Sequence, residues 1–484
     1  MRISDLVQDM KLPEGLDANI AVAGLTCDSR KVRPGYVFAA LAGESEDGAA
    51  YINDASSKGA CAVLALPGTP SVLPLLASAR PRQTYAHMAA KFFKYAPDHI
   101  VAVTGTNGKT SVAEFYRQII DRLGYRAASL GTMGVIGGTV SERVQHTTPE
   151  PAVLHAILRD LYFDGITHLA MEASSHGLSQ YRMDGVRPQA AAFTNLTRDH
   201  LDYHETAAAY LGAKARLFTD LLASDGVAVI NLDGAHALEV MQRAVDTGKA
   251  VLTVGTSETA DLQAVDIAPG ADGMSLTLQY QGARHSAEIP VIGRFQLENV
   301  LCAAGLALVG GFDVTEIVAV LPSLRGATGR VEKIGVSAAG ATFYVDYAHT
   351  ADALQQVLEN LRPHCAGRLI CVFGCGGDRD AGKRPDMGRV ADRLADLVII
   401  TDDNPRSEKA AVIRDEIQAA CPRALNIGDR HMAISEACAQ ATAGDIVLVA
   451  GKGHETGQIT GETVLPFSDH EEILKLIEGG RDDA

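Results

Sequence analysis

His99 to Val103 is a short apolar run that breaks straight into Thr104-Gly105-Thr106-Asn107-Gly108-Lys109-Thr110. Val112, Phe115, Tyr116, Ile119, Ile120 and Leu123 then recur at helical spacing, up to a C-capping Gly124. A strand bounded by a glycine loop and followed by an amphipathic helix predicts a buried strand of a parallel sheet. Successive backbone N–H groups and the helix N-terminus suit phosphate oxygens. Lys109 is placed to reach the β- and γ-phosphates of a nucleotide, and Thr110 a Mg²⁺ ion. The common pattern GxxxxGK[ST] would need Gly at 103, where this chain has Val. The loop is therefore a shorter variant, with Gly105 as the alternative first glycine.

Further apolar strands are predicted at Tyr36 to Leu41, Ala60 to Leu64, Leu169 to Met171, Ala190 to Phe193 and Val227 to Ile230. More follow at Phe343 to Val345, Leu369 to Phe373, Leu397 to Ile400 and Ile446 to Val449. Ala207 to Leu222 reads as a helix, and the Gly-dotted segment from about 255 to 295 as β-hairpins. Strands alternating with helical patterns predict an α/β protein. At 484 residues the chain exceeds one core. Three domains are expected. They are a small N-terminal α/β domain over 1–97, a central P-loop ATPase-like domain with a mostly parallel sheet over 98–328, and a C-terminal Rossmann-like domain over 329–484.

The net charge of −16 argues against nucleic acid as a partner, because phosphate backbones demand basic patches. No run of 18 uncharged apolar residues is present, so no membrane span is expected, and Met1 to Asp5 lack a signal-peptide core. The eight cysteines are scattered without a CxxC pair, and read as reduced thiols of a cytoplasmic protein. Cys371 and Cys375 read as small residues of a strand and a Gly turn rather than as a metal pair.

Parallel sheets bind ligands beyond the C-terminal ends of their strands, and here most strands run straight into polar residues. The strand at 169–171 ends in Glu172-Ala173-Ser174-Ser175-His176, and that at 190–193 in Asn195 to Asp202. Glu172 and His200, arriving beside a phosphate loop, suit a hard cation that also accepts nitrogen, Mg²⁺ or Mn²⁺. The strand at 397–400 leads to Asp403-Asn404-Pro405-Arg406. An Asn and an Arg locked either side of a Pro form a fork for a carboxylate. Lys214, in an Ala-rich helix, reads on its own as a surface lysine.

Read together, Thr104 to Thr110, Glu172 to His176, Asn195 with Asp199 to Asp202, Asn299 and Asp346-Tyr347-Ala348-His349-Thr350 resemble the Mur ligases, in order along essentially the whole chain. Gly374 to Asp380 with Lys383-Arg384-Pro385, then Asp403 to Arg406, then Gly451-Lys452-Gly453-His454-Glu455 resemble the branch of that family that adds meso-2,6-diaminopimelate. The resemblance implies an ATP-dependent carbon–nitrogen ligase acting on UDP-N-acetylmuramoyl-L-alanyl-D-glutamate in cytoplasmic peptidoglycan precursor synthesis, as a monomer. It implies that Gly105, Thr106, Asn107, Gly108, Lys109 and Thr110 hold the ATP phosphates. Asn299, Arg330, Asp346 and His349 contact adenine, phosphate and ribose. Thr110, Glu172 and His200 serve two Mg²⁺ sites, with Lys214 carbamylated by CO₂ as a further ligand. Lys109, Lys214, His200 and Glu172 form the catalytic set. Ser29, in Asp28-Ser29-Arg30, and the Gly43 loop hold the uridine end, and Thr147, Thr148, Ser174, Gln180 and Arg182 the muramoyl dipeptide. Arg379, Asp403, Asn404, Pro405, Arg406, Gly451 and Glu455 hold diaminopimelate. Ala351 stands where the family commonly has Pro, and His146 where relatives often have Asn.

The implied chemistry runs through an acyl phosphate, from which water must be excluded. Domain closure is expected, with a hinge near Gly326 to Arg330. Diaminopimelate is lysine with one more carboxylate, so Arg406 is the expected discriminator, unless it merely salt-bridges Asp402 or Glu408. The alternatives are the same scaffold adding L-lysine, folate polyglutamylation on a related ATP-binding core, and a non-catalytic P-loop regulator. Asn404 and Arg406 speak against the first, the Asp28-Ser29-Arg30 unit against the second, and the distant amine site against the third.

Overall fold

A computed structural model describes residues 1–484 apart from 8–9, 44–45, 140–143, 145, 198–200, 205, 271–272 and 483–484. The chain forms two compact units, Met1–Gln263 with Leu301–Ile317, and Ala264–Val300 with Val318–Ala484.

The first unit holds two sheets. Four short parallel strands, β1 (Gly24–Thr26), β2 (Tyr36–Ala39), β3 (Ala62–Ala65) and β4 (Leu75–Ala77), lie in chain order. The larger sheet contains β5 (His99–Thr104), β6 (Ala127–Gly131), β7 (Gly134–Ile136), β8 (His168–Glu172), β9 (Ala190–Phe193), β10 (Val227–Asn231) and β11 (Ala250–Gly255), and β12 (Leu262–Gly270) begins beside β11. Its order is β11-β10-β9-β5-β8-β6-β7, and only β7 runs antiparallel. Ile100, Ala102, Leu169, Met171, Ala191 and Phe193 form one continuous core. Helices cover both faces, so these strands read as unbroken apolar runs. The sheet order sets β5 between β8 and β9, which brings the ends of all three together.

The expected helix Ala207 to Leu222 is helical throughout but changes pitch. An α-helix, Ala207–Arg216, gives way to a wider π turn, Leu217–Leu221. Leu217, Phe218 and Leu221 are all buried, and the wider turn lets three bulky side chains face one core.

In the second unit β13 (Gly273–Tyr280) and β14 (Ala283–Ile289) form the expected hairpin. A six-stranded sheet follows from β15 (Glu332–Val336), β16 (Thr342–Asp346), β17 (Leu369–Phe373), β18 (Leu397–Ile400), β19 (Leu425–Asn426) and β20 (Ile446–Ala450). The order is β15-β16-β20-β17-β18-β19, parallel except at β15. A small hairpin, β21 (Gly457–Thr460) and β22 (Thr463–Pro466), lies near its end. Leu369, Cys371 and Phe373 point into one core, and Ile370 and Val372 into the other. Cys371 is thus a core residue, and Cys375 packs its sulfur against Met387, as the sequence reading expected.

Ala351 opens the helix Ala351–Leu361, whose N-cap Thr350 accepts a bond from Ala353 N–H at 3.3 Å. Proline is favoured at this first helical position. Ala351→Pro is therefore expected to raise unfolding stability by about 0.4–1 kcal/mol with unchanged kcat, measured by urea denaturation and steady-state rates.

His155, on the helix Pro151–Phe163, is buried with its Nε2 unpartnered. Burial, with a smaller push from His87, lowers its pKa from 6.5 to about 4. A folded pKa below the unfolded one means the stabilisation is present above pH 6.5 and lost as pH falls toward 4. Between those limits the loss is on the order of 3 kcal/mol. His155→Leu is expected to flatten that acid limb relative to wild type, read as the difference in urea midpoints at pH 7 and pH 4.5.

Candidate active site

Thr104 ends β5, and the chain turns at Gly105 with φ +153°. A Cβ there would lie 1.9 Å from Thr194 Oγ1 at the end of β9, so glycine is the residue that fits. The next turn passes into the helix Lys109–Arg122. Asn195 fastens the loop from β9: its carbonyl accepts from Thr106 N–H at 2.8 Å and its Oδ1 from Asn107 N–H at 3.1 Å. Lys109 curls back over the loop, with Nζ donating to the carbonyls of Gly105 (2.9 Å) and Thr106 (2.7 Å). With the Thr106 and Asn107 N–H groups spent on Asn195, the start of the helix Lys109–Arg122 and the Lys109 ammonium beside it are what favour an anion here.

Glu172, the last residue of β8, is buried. Thr110 Oγ1 donates to its Oε1 at 2.9 Å, and Thr132 N–H to the same atom at 2.9 Å. Thr132 Oγ1 reaches Oε2 at 3.3 Å and also Thr147 Oγ1 at 3.0 Å. A Cβ on Gly131 would sit 2.0 Å from Oε1, so the missing side chain is the space the carboxylate fills. Thr110 and Glu172 thus meet as the sequence expected. Asn195 and Thr132 were given no role from sequence. The signal for both is their place just after a strand neighbouring β5 or β8.

Lys214 is not a surface residue. It is 1% exposed, with Nζ donating to Gly105 O at 2.7 Å and lying 4.5 Å above the Tyr210 ring. Tyr210 OH in turn meets Thr106 Oγ1 at 3.1 Å, so this helix is tied to the phosphate loop. Isolated-sequence physics missed this because helix periodicity does not say which neighbour covers a face. His200 lies outside the described residues. Among the described residues no three His, Cys, Asp or Glu side chains gather as a metal centre.

Thr148 and Ser174 bond to each other at 3.0 Å, and Thr148 Oγ1 also donates to Glu172 O at 2.9 Å. Arg182, nearly buried, donates to Thr148 O (2.9 Å) and Gln180 Oε1 (2.8 Å) and pairs with Glu150 at 3.0 Å. All five expected dipeptide residues, Thr147, Thr148, Ser174, Gln180 and Arg182, therefore belong to one network beside Glu172. His146 is exposed, yet partial desolvation of its ring and the nearby Arg182 lower its pKa. Ser29 begins a short 3₁₀ turn after β1, which the Asp28 carboxylate caps through Arg30 N–H at 3.0 Å. Ser29 O accepts from Lys58 at 3.0 Å.

In the second unit Asp346 ends β16, buried. It accepts from Val331 N–H and Ala348 N–H, both at 2.7 Å. Burial raises its pKa, against the pull of Arg330 and those two backbone donors. Arg330 stacks over Tyr347 at 4.8 Å, and its carbonyl accepts from Gln296, which also holds Asn299 at 3.0 Å. His349 bonds Tyr347 O at 2.9 Å. Asn299, Arg330, Asp346 and His349 thus surround one strand end.

Asn404, after β18, is 3% exposed, and its Nδ2 donates to Glu455 Oε2 at 2.8 Å. Asn404 N–H donates to Asp403 Oδ1 at 2.7 Å. Pro405 is buried between them and Arg406. Arg406 has φ +50°, a strained backbone for a bulky residue, held by Ile459 O (3.0 Å) and Gly461 N–H (2.7 Å). Its Nη1 donates to Gly377 O at 2.8 Å. Asp402 pairs instead with Arg414, and Glu408 with Arg384 at 2.8 Å, so neither acid neutralises Arg406. Gly451 follows β20, its N–H bonded to Asp346 O at 3.0 Å. Arg379 is exposed on the neighbouring loop. Beneath lies a fully buried pair absent from the sequence reading: Arg430 pairs with Asp469 at 2.6 Å and donates to Ala450 O (3.0 Å) and Asp402 O (3.4 Å). It clamps the two strand ends that carry Asn404 and Glu455.

Comparison with known proteins places this geometry among relatives. The chain is 48% identical to the UDP-N-acetylmuramoyl-L-alanyl-D-glutamate--2,6-diaminopimelate ligase of Bradyrhizobium diazoefficiens over 481 residues, covering 99% of each. The ligase of the same name from Mesorhizobium japonicum is 48% identical over 98% of each chain. A solved structure of a ligase of that name superposes with a TM-score of 0.75 at 36% identity, covering 99% of both. A folylpolyglutamate synthase of Mycobacterium tuberculosis shares the fold at a TM-score of 0.58 and 18% identity, over 76% of this chain and 92% of that one. Family profiles match as "Mur ligase family, catalytic domain" over residues 21–91, "Mur ligase middle domain" over 103–307 and "Mur ligase, glutamate ligase domain" over 329–453. With three profiles in order and relatives alike from end to end, the chain belongs to the Mur ligase family.

Proposed function

We propose that this chain is an ATP-dependent ligase that joins meso-2,6-diaminopimelate to UDP-N-acetylmuramoyl-L-alanyl-D-glutamate. The observation that carries the specificity is the amine site: Asn404 is fixed on Glu455, Asp402 and Glu408 are engaged by other arginines, and Asp378, which feels the Arg406 charge, is bonded to Ser407, so no described acid forms an ion pair with Arg406. A guanidinium next to an amide N–H and a carboxylate fits an amino acid whose far end bears both carboxylate and ammonium. L-Lysine, the second reading, would leave Arg406 without its anion.

The D-glutamate γ-carboxylate attacks the γ-phosphorus of ATP, forming an acyl phosphate and releasing ADP. The cradle of Gly105, Thr106, Asn107, Gly108, Lys109 and Thr110 positions the phosphates and offsets their charge. The amine of diaminopimelate then attacks the acyl carbon, the amide forms, and phosphate leaves with loss of a proton from the nitrogen. Thr110 Oγ1 and Glu172 Oε1, 2.9 Å apart, are hard oxygens that fit Mg²⁺. With His200 and the Lys214 carbamate they would hold ions that supply Lewis-acid stabilisation of the transferred phosphoryl group. Lys214 lies against Gly105 O, which supports a role beside the phosphates; as a carbamate it would turn from cation to anion there.

Thr147, Thr148, Ser174, Gln180 and Arg182 hold the dipeptide and Ser29 the uridine end. Asn299, Arg330, Asp346 and His349 serve the nucleotide, and Arg379, Asp403, Pro405 and Gly451 complete the amine site. The proposed domains are 1–97, 98–328 and 329–484, supported by the spans of the three family profiles. Among the described residues no helix is long and apolar enough to cross a membrane. The enzyme is proposed to work as a cytoplasmic monomer on small molecules.

Phosphate release by the purified chain with ATP, Mg²⁺ and the nucleotide dipeptide tests this reading. Release with meso-diaminopimelate and little with L-lysine is expected. Equal release with lysine overturns the specificity, and silence with both overturns the ligase. Carbamylation is tested in the same assay after stripping CO₂: the rate should fall and return with bicarbonate.

A further inference from the structure

Lys452 is 0% exposed, and its ammonium ends inside the amine site rather than in water. Its Nζ donates to Asn404 Oδ1 at 3.1 Å and to Glu455 Oε2 at 3.2 Å. A buried ammonium needs acceptors around it, and these two side chains supply them. Ile459 N–H donates to the same Asn404 Oδ1 at 2.9 Å. Two donors that cannot accept thus converge on one atom of Asn404, and that atom has to be the oxygen. The amide is therefore not free to flip. Its NH₂ faces the other way, with one hydrogen spent on Glu455 Oε2 at 2.8 Å and the second left for an acceptor. Glu455 Oε2 takes donors from both Lys452 and Asn404.

We propose that Lys452 is the positioning residue that fixes the Asn404 amide with its N–H toward the ligand, and thereby sets the preference for an amine substrate bearing a second carboxylate. This rests on the ligase reading above. Lys452 does not touch the substrate; it decides which face Asn404 shows. An outward N–H welcomes a carboxylate and is left unpaired by lysine, which lacks one. With the inner ammonium gone, Asn404 Oδ1 is held by Ile459 N–H alone and the cation joining it to Glu455 is lost, so the amide is held less firmly and the site loses part of its bias.

The test compares wild type, Lys452→Met and Asn404→Asp in the full chain by steady-state kinetics with both amines. For Lys452→Met, the KM for meso-diaminopimelate should rise on the order of 10- to 100-fold, with KM for ATP and the nucleotide dipeptide unchanged. The ratio of kcat/KM for diaminopimelate over lysine should fall at least about tenfold. A merely structural lysine would lower Tm and kcat but leave that ratio alone. A folded Lys452→Met protein with the wild-type ratio overturns the proposal. Asn404→Asp tests the orientation even if the first variant does not fold. It keeps the inner oxygen for Lys452 but replaces the outward N–H by oxygen. Diaminopimelate KM should rise at least as much, and a wild-type KM in this variant overturns the proposal. No diaminopimelate-dependent phosphate release from the wild type would instead sink the ligase reading, and this proposal with it.

Discussion

Arg406→Ala is expected to lower kcat/KM for meso-diaminopimelate by about 10³- to 10⁴-fold, while changing that for L-lysine by less than about tenfold. The size follows from what surrounds the guanidinium. Nη1 donates to Gly377 O at 2.8 Å, and Arg406 makes no ion pair among the described residues. A substrate carboxylate would be its counter-ion in a partly buried site, where a charged hydrogen bond is worth more than at the surface. Removing the arginine leaves that carboxylate facing Asn404 alone. Arg406→Lys should recover little, because a point ammonium cannot match a bidentate planar fork. The backbone at 406 already sits at φ +50°, so alanine inherits the strain and the fold should be nearly unchanged. Equal losses for both amines would mean that Arg406 supports the loop rather than reads the substrate.

Glu172→Gln is expected to reduce kcat on the order of 10³-fold or more, with little change in KM for diaminopimelate. The carboxylate receives Thr110 Oγ1, Thr132 N–H and Thr132 Oγ1, three donors on two oxygens. An amide of the same shape would keep its oxygen for Thr110 and Thr132 N–H and turn its NH₂ to Thr132 Oγ1, a hydroxyl that can reverse and accept, so the stability loss should stay within about 1 kcal/mol. The substitution also removes the carboxylate charge bonded to Thr110. A variant within tenfold of wild-type kcat would remove Glu172 from the phosphoryl-transfer machinery. Thermal unfolding measured alongside separates the two effects.

The strands were legible because burial on both faces writes itself as an apolar run. β9, β17 and β18 fall on the expected residues and the other expected strands differ by a residue or two at their ends, while β1, β4, β6, β7, β11, β15, β19, β21 and β22 were not expected. Strand-end polar residues were legible for the same reason, and the structure joins Thr110 to Glu172 and Asn404 to Glu455 across long stretches of chain. Partners that act from beneath were not. Thr132, Asn195, Lys452 and the Arg430–Asp469 pair each matter through a neighbour fixed by sheet order, and sheet order is not written in local periodicity. Lys214 shows the limit most clearly: an Ala-rich helix suggested an exposed lysine, while packing placed it 1% exposed against the phosphate loop. That neither Asp402 nor Glu408 pairs with Arg406 likewise needed the positions of Arg384 and Arg414.

The bare α-carbon of Gly131 has a consequence for drug resistance. Bacteria commonly escape an inhibitor by a point mutation that adds bulk where the compound sits. At Gly131 the first added carbon would land 2.0 Å from the Glu172 carboxylate, and at Gly105 it would land 1.9 Å from Thr194 Oγ1. Both routes deform the phosphate site before they obstruct a visitor. A compound that leans on these two glycines would therefore meet few viable escape mutants at either, whereas one leaning on the exposed Arg379 would meet many.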